Sequence, residues 1–108
     1  MKNPVKHLLV MLALLAGVPL AGAQTFIPLY SFGDGNDGED PIAGLVQAND
    51  GNLYGTTYEG GTNGDGMIFR ITTSGTETPL YSFTGGHDGA HPYSGLIQAS
   101  DGNLYGTT

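Results

Sequence analysis

The chain has 108 residues with 10 Asp and Glu, 3 Lys and Arg, no Cys and a formal net charge of −7. Phosphate backbones and anionic lipid surfaces are recognised through clustered cations, so nucleic acid and membrane headgroups are excluded as partners. Without cysteine there is no disulfide, thiol nucleophile, thiolate metal site or lipid-modified cysteine, and the fold must hold by packing alone.

In chain order, residues 1–23 stand apart. Lys2 and Lys6 precede an apolar run from Leu8 to Leu15, and Ala21-Gly22-Ala23 offers the small residues that signal peptidase requires. The expectation is a signal peptide over 1–23, cleaved before Gln24. The apolar run is about ten residues, well short of the ~20 that cross a bilayer, and Gly17 and Pro19 interrupt its end. The expected destination is outside the cell, secreted or on the surface, with the periplasm the other exported location, and no membrane insertion after cleavage. Removal of the leader leaves Arg70 against all ten carboxylates, a formal charge of about −9.

After the leader, β-prone segments alternate with turn chemistry. Thr25 to Phe32 is predicted as a strand, as is Ile42 to Ala48. Asn49-Asp50-Gly51 is a hairpin signal, with glycine supplying the positive φ such turns require, and Asn52 to Tyr58 is the returning strand. A flexible glycine-rich loop runs from Gly60 to Gly66. Met67 to Thr72 and Thr76 to Phe83 follow as strands around Thr73-Ser74-Gly75. No 3.6-residue apolar period appears beyond the leader.

The segments then repeat. Leu29-Tyr30-Ser31-Phe32 recurs as Leu80-Tyr81-Ser82-Phe83, and Gly44-Leu45 as Gly95-Leu96. The octapeptide Asp50 to Thr57 recurs unchanged as Asp101 to Thr108, all at an offset of 51 residues (80 minus 29, 101 minus 50). Asp37-Gly38, Pro41 and Gln47-Ala48 keep the same register with Asp88-Gly89, Pro92 and Gln98-Ala99. Four short antiparallel strands in about 50 residues match one blade of a β-propeller. A β-solenoid is the rival, but its coils run ~20–30 residues and do not require a tight Asp-Gly hairpin in each. The expected fold is therefore all-β, with four-stranded antiparallel blades of a β-propeller. Residues 24–108 form a partial array of about one and a half blades, the second unit truncated. Such a piece is expected to expose strand edges and to be poorly stable by itself.

The repeated residues resemble the bacterial Gloeo/Verruco (GloVer) tandem repeat. Leu80 through Thr108 follows its pattern nearly position by position, and Gly66-Met67-Ile68-Phe69-Arg70-Ile71-Thr72 fits its third-strand element. The first copy departs at Gly33-Asp34, where Thr-Gly is usual. The resemblance implies a surface or secreted protein of repeated architecture and carries no catalytic residues to transfer.

Several clusters invite a chemical reading. Asp34, Asn36, Asp37, Glu39 and Asp40 are the densest group of oxygen ligands and the candidate site for Ca²⁺, a hard cation. Gly38 stands where a calcium loop needs an acid or amide, and the second copy replaces Asp34, Glu39 and Asp40 with Gly85, Ala90 and His91, which favours a solvated turn. His87 and His91 have the spacing of a helical chelate, but glycines around them indicate a surface loop. Asp50 and Asp101 are imaginable as a carboxylate pair, yet each precedes glycine in a turn that already accounts for it. Ser31 and Ser82 lack the context of a nucleophile. Tyr30, Tyr54, Tyr81 and Tyr105 are expected to pack in or between blades. For Tyr58 and Tyr93 the same packing is favoured over stacking on a glycan, but less strongly.

No catalytic residue and no cofactor is assigned. The leading expectation is a non-catalytic binding or scaffold module whose variable loops, 33–40 and 84–91, face an extracellular glycan or protein, with further repeats as partners. The alternative is a fragment of a propeller-type carbohydrate-active enzyme, a lyase or hydrolase. That reading requires ionisable groups converging from several blades.

Overall fold

A computed structural model describes residues 27–33 and 36–108. The expected signal peptide and Asp34 lie outside the described residues. Everything described is strand, turn or loop; there is no helix among these residues, and none long and apolar enough to cross a membrane. Six strands form: β1 (Val46–Gln47), β2 (Leu53–Thr57), β3 (Met67–Ile71), β4 (Glu77–Ser82), β5 (Ile97–Gln98) and β6 (Leu104–Tyr105). The first four make an antiparallel sheet in the order β1-β2-β3-β4, and the last two make a separate hairpin.

Local chemistry explains the hairpins. Between β1 and β2 the Gly51 N–H donates to the Ala48 carbonyl at 2.9 Å and Ala48 N–H donates to the Asn52 carbonyl at 3.0 Å. Gly51 sits at φ +85°, a left-handed conformation that glycine enters without a Cβ penalty. The β5–β6 turn repeats this at Ala99, Gly102 and Asn103, with Gly102 again at φ +85°. Pairing repeats as well: Val46↔Tyr54 and Gln47↔Leu53 in the first unit correspond to Ile97↔Tyr105 and Gln98↔Leu104 in the second.

Strand β3 is central and its alternation sorts the two faces of the sheet. Met67, Phe69 and Ile71 are fully buried, and with Leu53 and Phe32 they form the core, flanked by Leu29, Tyr30 and Leu45. Burying each such side chain contributes about 1.5–3 kcal/mol. The core packs tightly at Gly55, paired with Phe69 across β2 and β3. A Cβ there would lie 2.5 Å from Leu45 Cδ2 and 2.7 Å from Phe69 Cζ, so only a residue without a side chain fits. On the opposite face Thr56 and Ile68 turn toward the second unit, where the Thr56 hydroxyl donates to the Ser94 carbonyl at 3.2 Å.

Strand β4 shifts register between Ile68 and Phe69, leaving Leu80 as an extra residue. Pro79, beside that bulge on an edge strand, has no N–H to lose from the ladder.

Three segments differ from the sequence reading. The stretch expected as a strand over 42–48 pairs only at Val46–Gln47. Residues 27–32 form no named strand; they pack onto the sheet through Leu29, Tyr30 and Phe32. The loop from Gly60 to Gly66 is held rather than loose: Gly66 N–H donates to the Gly60 carbonyl, Thr62 N–H to Ser82 Oγ and Asn63 Nδ2 to the Phe83 carbonyl. The last two of these contacts tie the loop to Ser82 and Phe83.

Candidate functional site

The two loops that differ in sequence, 33–40 and 84–91, share one internal brace. Tyr30 donates its hydroxyl to Asp37 Oδ2 at 2.9 Å, and Gly33 N–H donates to the same oxygen at 2.9 Å. In the second unit Tyr81 donates to Asp88 Oδ2 at 2.7 Å and Thr84 N–H donates to it at 3.0 Å, while the Thr84 hydroxyl donates to Oδ1 at 2.5 Å. Donation to the charged form holds the Asp88 carboxyl at about 2, the Thr84 hydroxyl contributing most and Tyr81 next. The Tyr30 hydroxyl is pushed well above its ordinary range, first by burial and then by Asp37.

These braces place the metal candidates. Asp37 is engaged by Tyr30 and Gly33, Asn36 is exposed, and Glu39 forms a backbone bridge with Glu59. Asp40 lies in the left-handed region at φ 51°, its carbonyl accepting from Tyr58 N–H at 3.0 Å. Among the described residues no group of three or more His, Cys, Asp or Glu side chains is placed to hold a metal.

Asp50 and Asp101 are both taken up by their turns. Asp50 accepts from Asn52 N–H at 2.9 Å and the Tyr54 hydroxyl at 2.5 Å; Asp101 accepts from Asn103 N–H at 2.9 Å and the Tyr105 hydroxyl at 2.7 Å. Tyr54 and Tyr105 therefore serve a turn beside their own strand, whereas Tyr30 packs edge-on against Phe32 with ring centroids 5.0 Å apart. Ser82 is a hydrogen-bond acceptor for Thr62 N–H, and Ser31 is exposed.

The side chains that converge without serving either hairpin lie at the seam between the units. His91 N–H donates to the Asp65 carbonyl at 2.7 Å, and His91 Nδ1–H donates to the Tyr58 carbonyl at 2.9 Å. That bond sets the ring orientation and leaves Nε2 3.7 Å from Asp65 Oδ1. The Tyr58 ring lies 4.8 Å from the imidazole and meets Tyr93 edge-on at 5.8 Å. Tyr93 is 75% exposed. The result is a wet aromatic surface with one imidazole and one carboxylate, carried on three loops that hydrogen bonds fix to one another. His91 and Tyr93 occupy the places of Asp40 and Ile42 in the first copy, which is the signal in the sequence. Their meeting with Tyr58 and Asp65 had none, because Asp65 sits within a glycine-rich loop that looks unconstrained when read linearly.

The duplicated turns, pairings and braces show two copies of one structural unit. A family model described as the Gloeobacter/Verrucomicrobia repeat matches residues 18–108. The chain belongs to this family. No curated protein and no solved structure matches it. Membership accounts for the common frame of the units and leaves the seam residues to be read from their own chemistry.

Proposed function

We propose that this chain is part of an exported, non-catalytic binding module in which each unit is a blade of a β-propeller and the seam between blades meets an extracellular glycan. The observation that carries the reading is the exposed Tyr93 ring set against Tyr58 and His91. Aromatic rings with polar tips suit a surface that is apolar on one side and wet on the other, as at the face of a sugar ring. Loops held on a rigid scaffold are where binding specificity ordinarily resides. The leader sequence supports export, and the acidic surface supports a ligand that is neutral or basic rather than anionic.

The enzyme alternative draws less support. Asp50 and Asp101, the carboxylates it would recruit, are each occupied by a tyrosine hydroxyl and a backbone N–H.

The test is a screen of soluble neutral and basic polysaccharides against the chain and its Tyr93→Ala variant. Saturable binding to at least one polysaccharide, weakened about tenfold or more in the variant, is expected, since truncating an aromatic anchor ordinarily costs more than 1 kcal/mol. Silence across the panel, or equal binding by the variant, overturns the reading.

A further inference from the structure

The aromatic rings and the carboxylate at the seam follow one another in a line of contacts that is apolar at one end and anionic at the other. Tyr93 meets Tyr58 with ring planes at 89° and centroids 5.8 Å apart, so the two rings form a corner. Tyr58 lies 4.8 Å from the His91 imidazole, and His91 Nε2 lies 3.7 Å from Asp65 Oδ1. At that separation imidazole and carboxylate are within ion-pair range without a hydrogen bond, so the carboxylate oxygens keep lone pairs to offer. The Asp65 side chain is 29% exposed, which leaves it reachable from solvent.

The second loop makes room for this carboxylate and removes others from beside it. Asp34, Glu39 and Asp40 of the first copy are replaced by Gly85, Ala90 and His91. A Cβ at Gly85 would lie 2.9 Å from Asp65 Oδ2, and Gly85 sits at φ +76°, so glycine at this place admits the carboxylate where an aspartate would crowd and repel it. Asp88, the acid kept in that loop, is taken up by Tyr81 and Thr84. Asp65 therefore stands beside the rings with a carboxylate that no turn consumes, in a chain whose formal net charge of −7 attracts cations.

We propose that the seam selects amino sugars: a protonated amine of the glycan meets Asp65, while the C–H face of a sugar ring covers Tyr93. The inference rests on the glycan reading of the seam and names the class of sugar. An ammonium group has three N–H donors for charge-assisted hydrogen bonds to a carboxylate, and the faces of neighbouring tyrosines attract a cation through the ring quadrupole. An N-acetylated or plain hydroxyl sugar keeps the stacking and loses both of these attractions. An acidic sugar is repelled by Asp65. A lysine side chain brings the same charge but no rigid C–H face for Tyr93, and ordering its long stem costs entropy.

The experiment titrates the whole chain at neutral pH with β-linked tetramers of glucosamine, N-acetylglucosamine and glucose, and with tetralysine. The glucosamine tetramer is expected to bind about tenfold more tightly than either neutral tetramer and than tetralysine. Asp65→Ser is expected to bring the glucosamine tetramer to within about twofold of the neutral ones, with a thermal melt to show that the fold is kept. In the unsubstituted chain the resonance of the Asp65 carboxyl carbon is expected to move with the glucosamine tetramer and not with the glucose one, a reading that needs no variant. Equal binding of the three sugar tetramers overturns the inference and leaves the glycan reading standing. A preference that survives in Asp65→Ser overturns it, as does tetralysine binding as tightly as the amino sugar, since charge alone would then suffice. Silence for all four ligands overturns it too, and the polysaccharide screen then decides the glycan reading by itself.

Discussion

Phe32 and Phe69 meet edge to face, their ring centroids 4.7 Å apart and both side chains fully buried, although one belongs to a segment preceding the sheet and the other to its central strand. The contact joins the end of one repeat to the core of the next. Phe32→Ala or Phe69→Ala is expected to cost about 3–5 kcal/mol, the transfer loss plus an unfilled cavity. Phe83→Ala, beside space already open, is expected to cost less. Urea denaturation of the three variants orders them, and equal losses would contradict the account.

The close approach at Gly55 yields a second expectation. Gly55→Ala drives a methyl into Leu45 and Phe69 and should destabilise by about 1–3 kcal/mol or more. Gly44→Ala, with nothing within 4 Å of the new Cβ, should stay within about 0.5 kcal/mol of the parent. Thermal melts of the two single variants measure the difference directly.

The Tyr–Asp braces are alike in geometry and unlike in surroundings. Tyr30 is partly buried and donates to a carboxylate, so Tyr30→Phe is expected to cost about 1.5 kcal/mol. Tyr81 is 46% exposed, and water can replace it; Tyr81→Phe should cost less than about 0.5 kcal/mol. In an ultraviolet phenolate titration Tyr30 is expected to ionise above the ordinary tyrosine range, burial being the main cause and Asp37 the next. Loss of the most alkaline step in Tyr30→Phe identifies it.

Stability should peak on the acidic side of neutrality. Burial, with the Asp37 charge adding to it, pushes the Glu77 carboxyl up to about 7. Below the ordinary glutamate value both folded and unfolded chains hold the proton. As pH rises toward 7 the unfolded chain releases it first, so stability falls through that window and stays low above it. The loss is on the order of 1 kcal/mol after allowance for solvent screening.

In the other direction the carboxyls of Asp50 and Asp101 are held low, chiefly by Tyr54 and Tyr105, as is Asp88. Their contribution is present above the ordinary aspartate value and fades as pH drops through the lowered ones. Melting temperature against pH should therefore show a maximum near pH 5, and Glu77→Gln should flatten the neutral side alone. An unchanged profile in that variant would remove Glu77 as the cause.

What the sequence determined by itself was whatever depends on neighbours in the chain. The hairpins at Gly51 and Gly102 were legible because a tight turn needs a left-handed residue at one position. Strand β3 was legible because β-prone residues from Met67 onward run between a glycine-rich loop and Thr73-Ser74-Gly75. The doubling of the unit was legible because Asp50 to Thr57 recurs unchanged. Tertiary structure alone decided that residues 27–32 pack as a cover on the next sheet, that the loop from Gly60 to Gly66 is pinned by Ser82 and Phe83, and that His91 reaches the carbonyl of Tyr58, 33 residues earlier. Each of those contacts joins segments distant in the chain, and such contacts depend on how sheets stack rather than on local backbone preference.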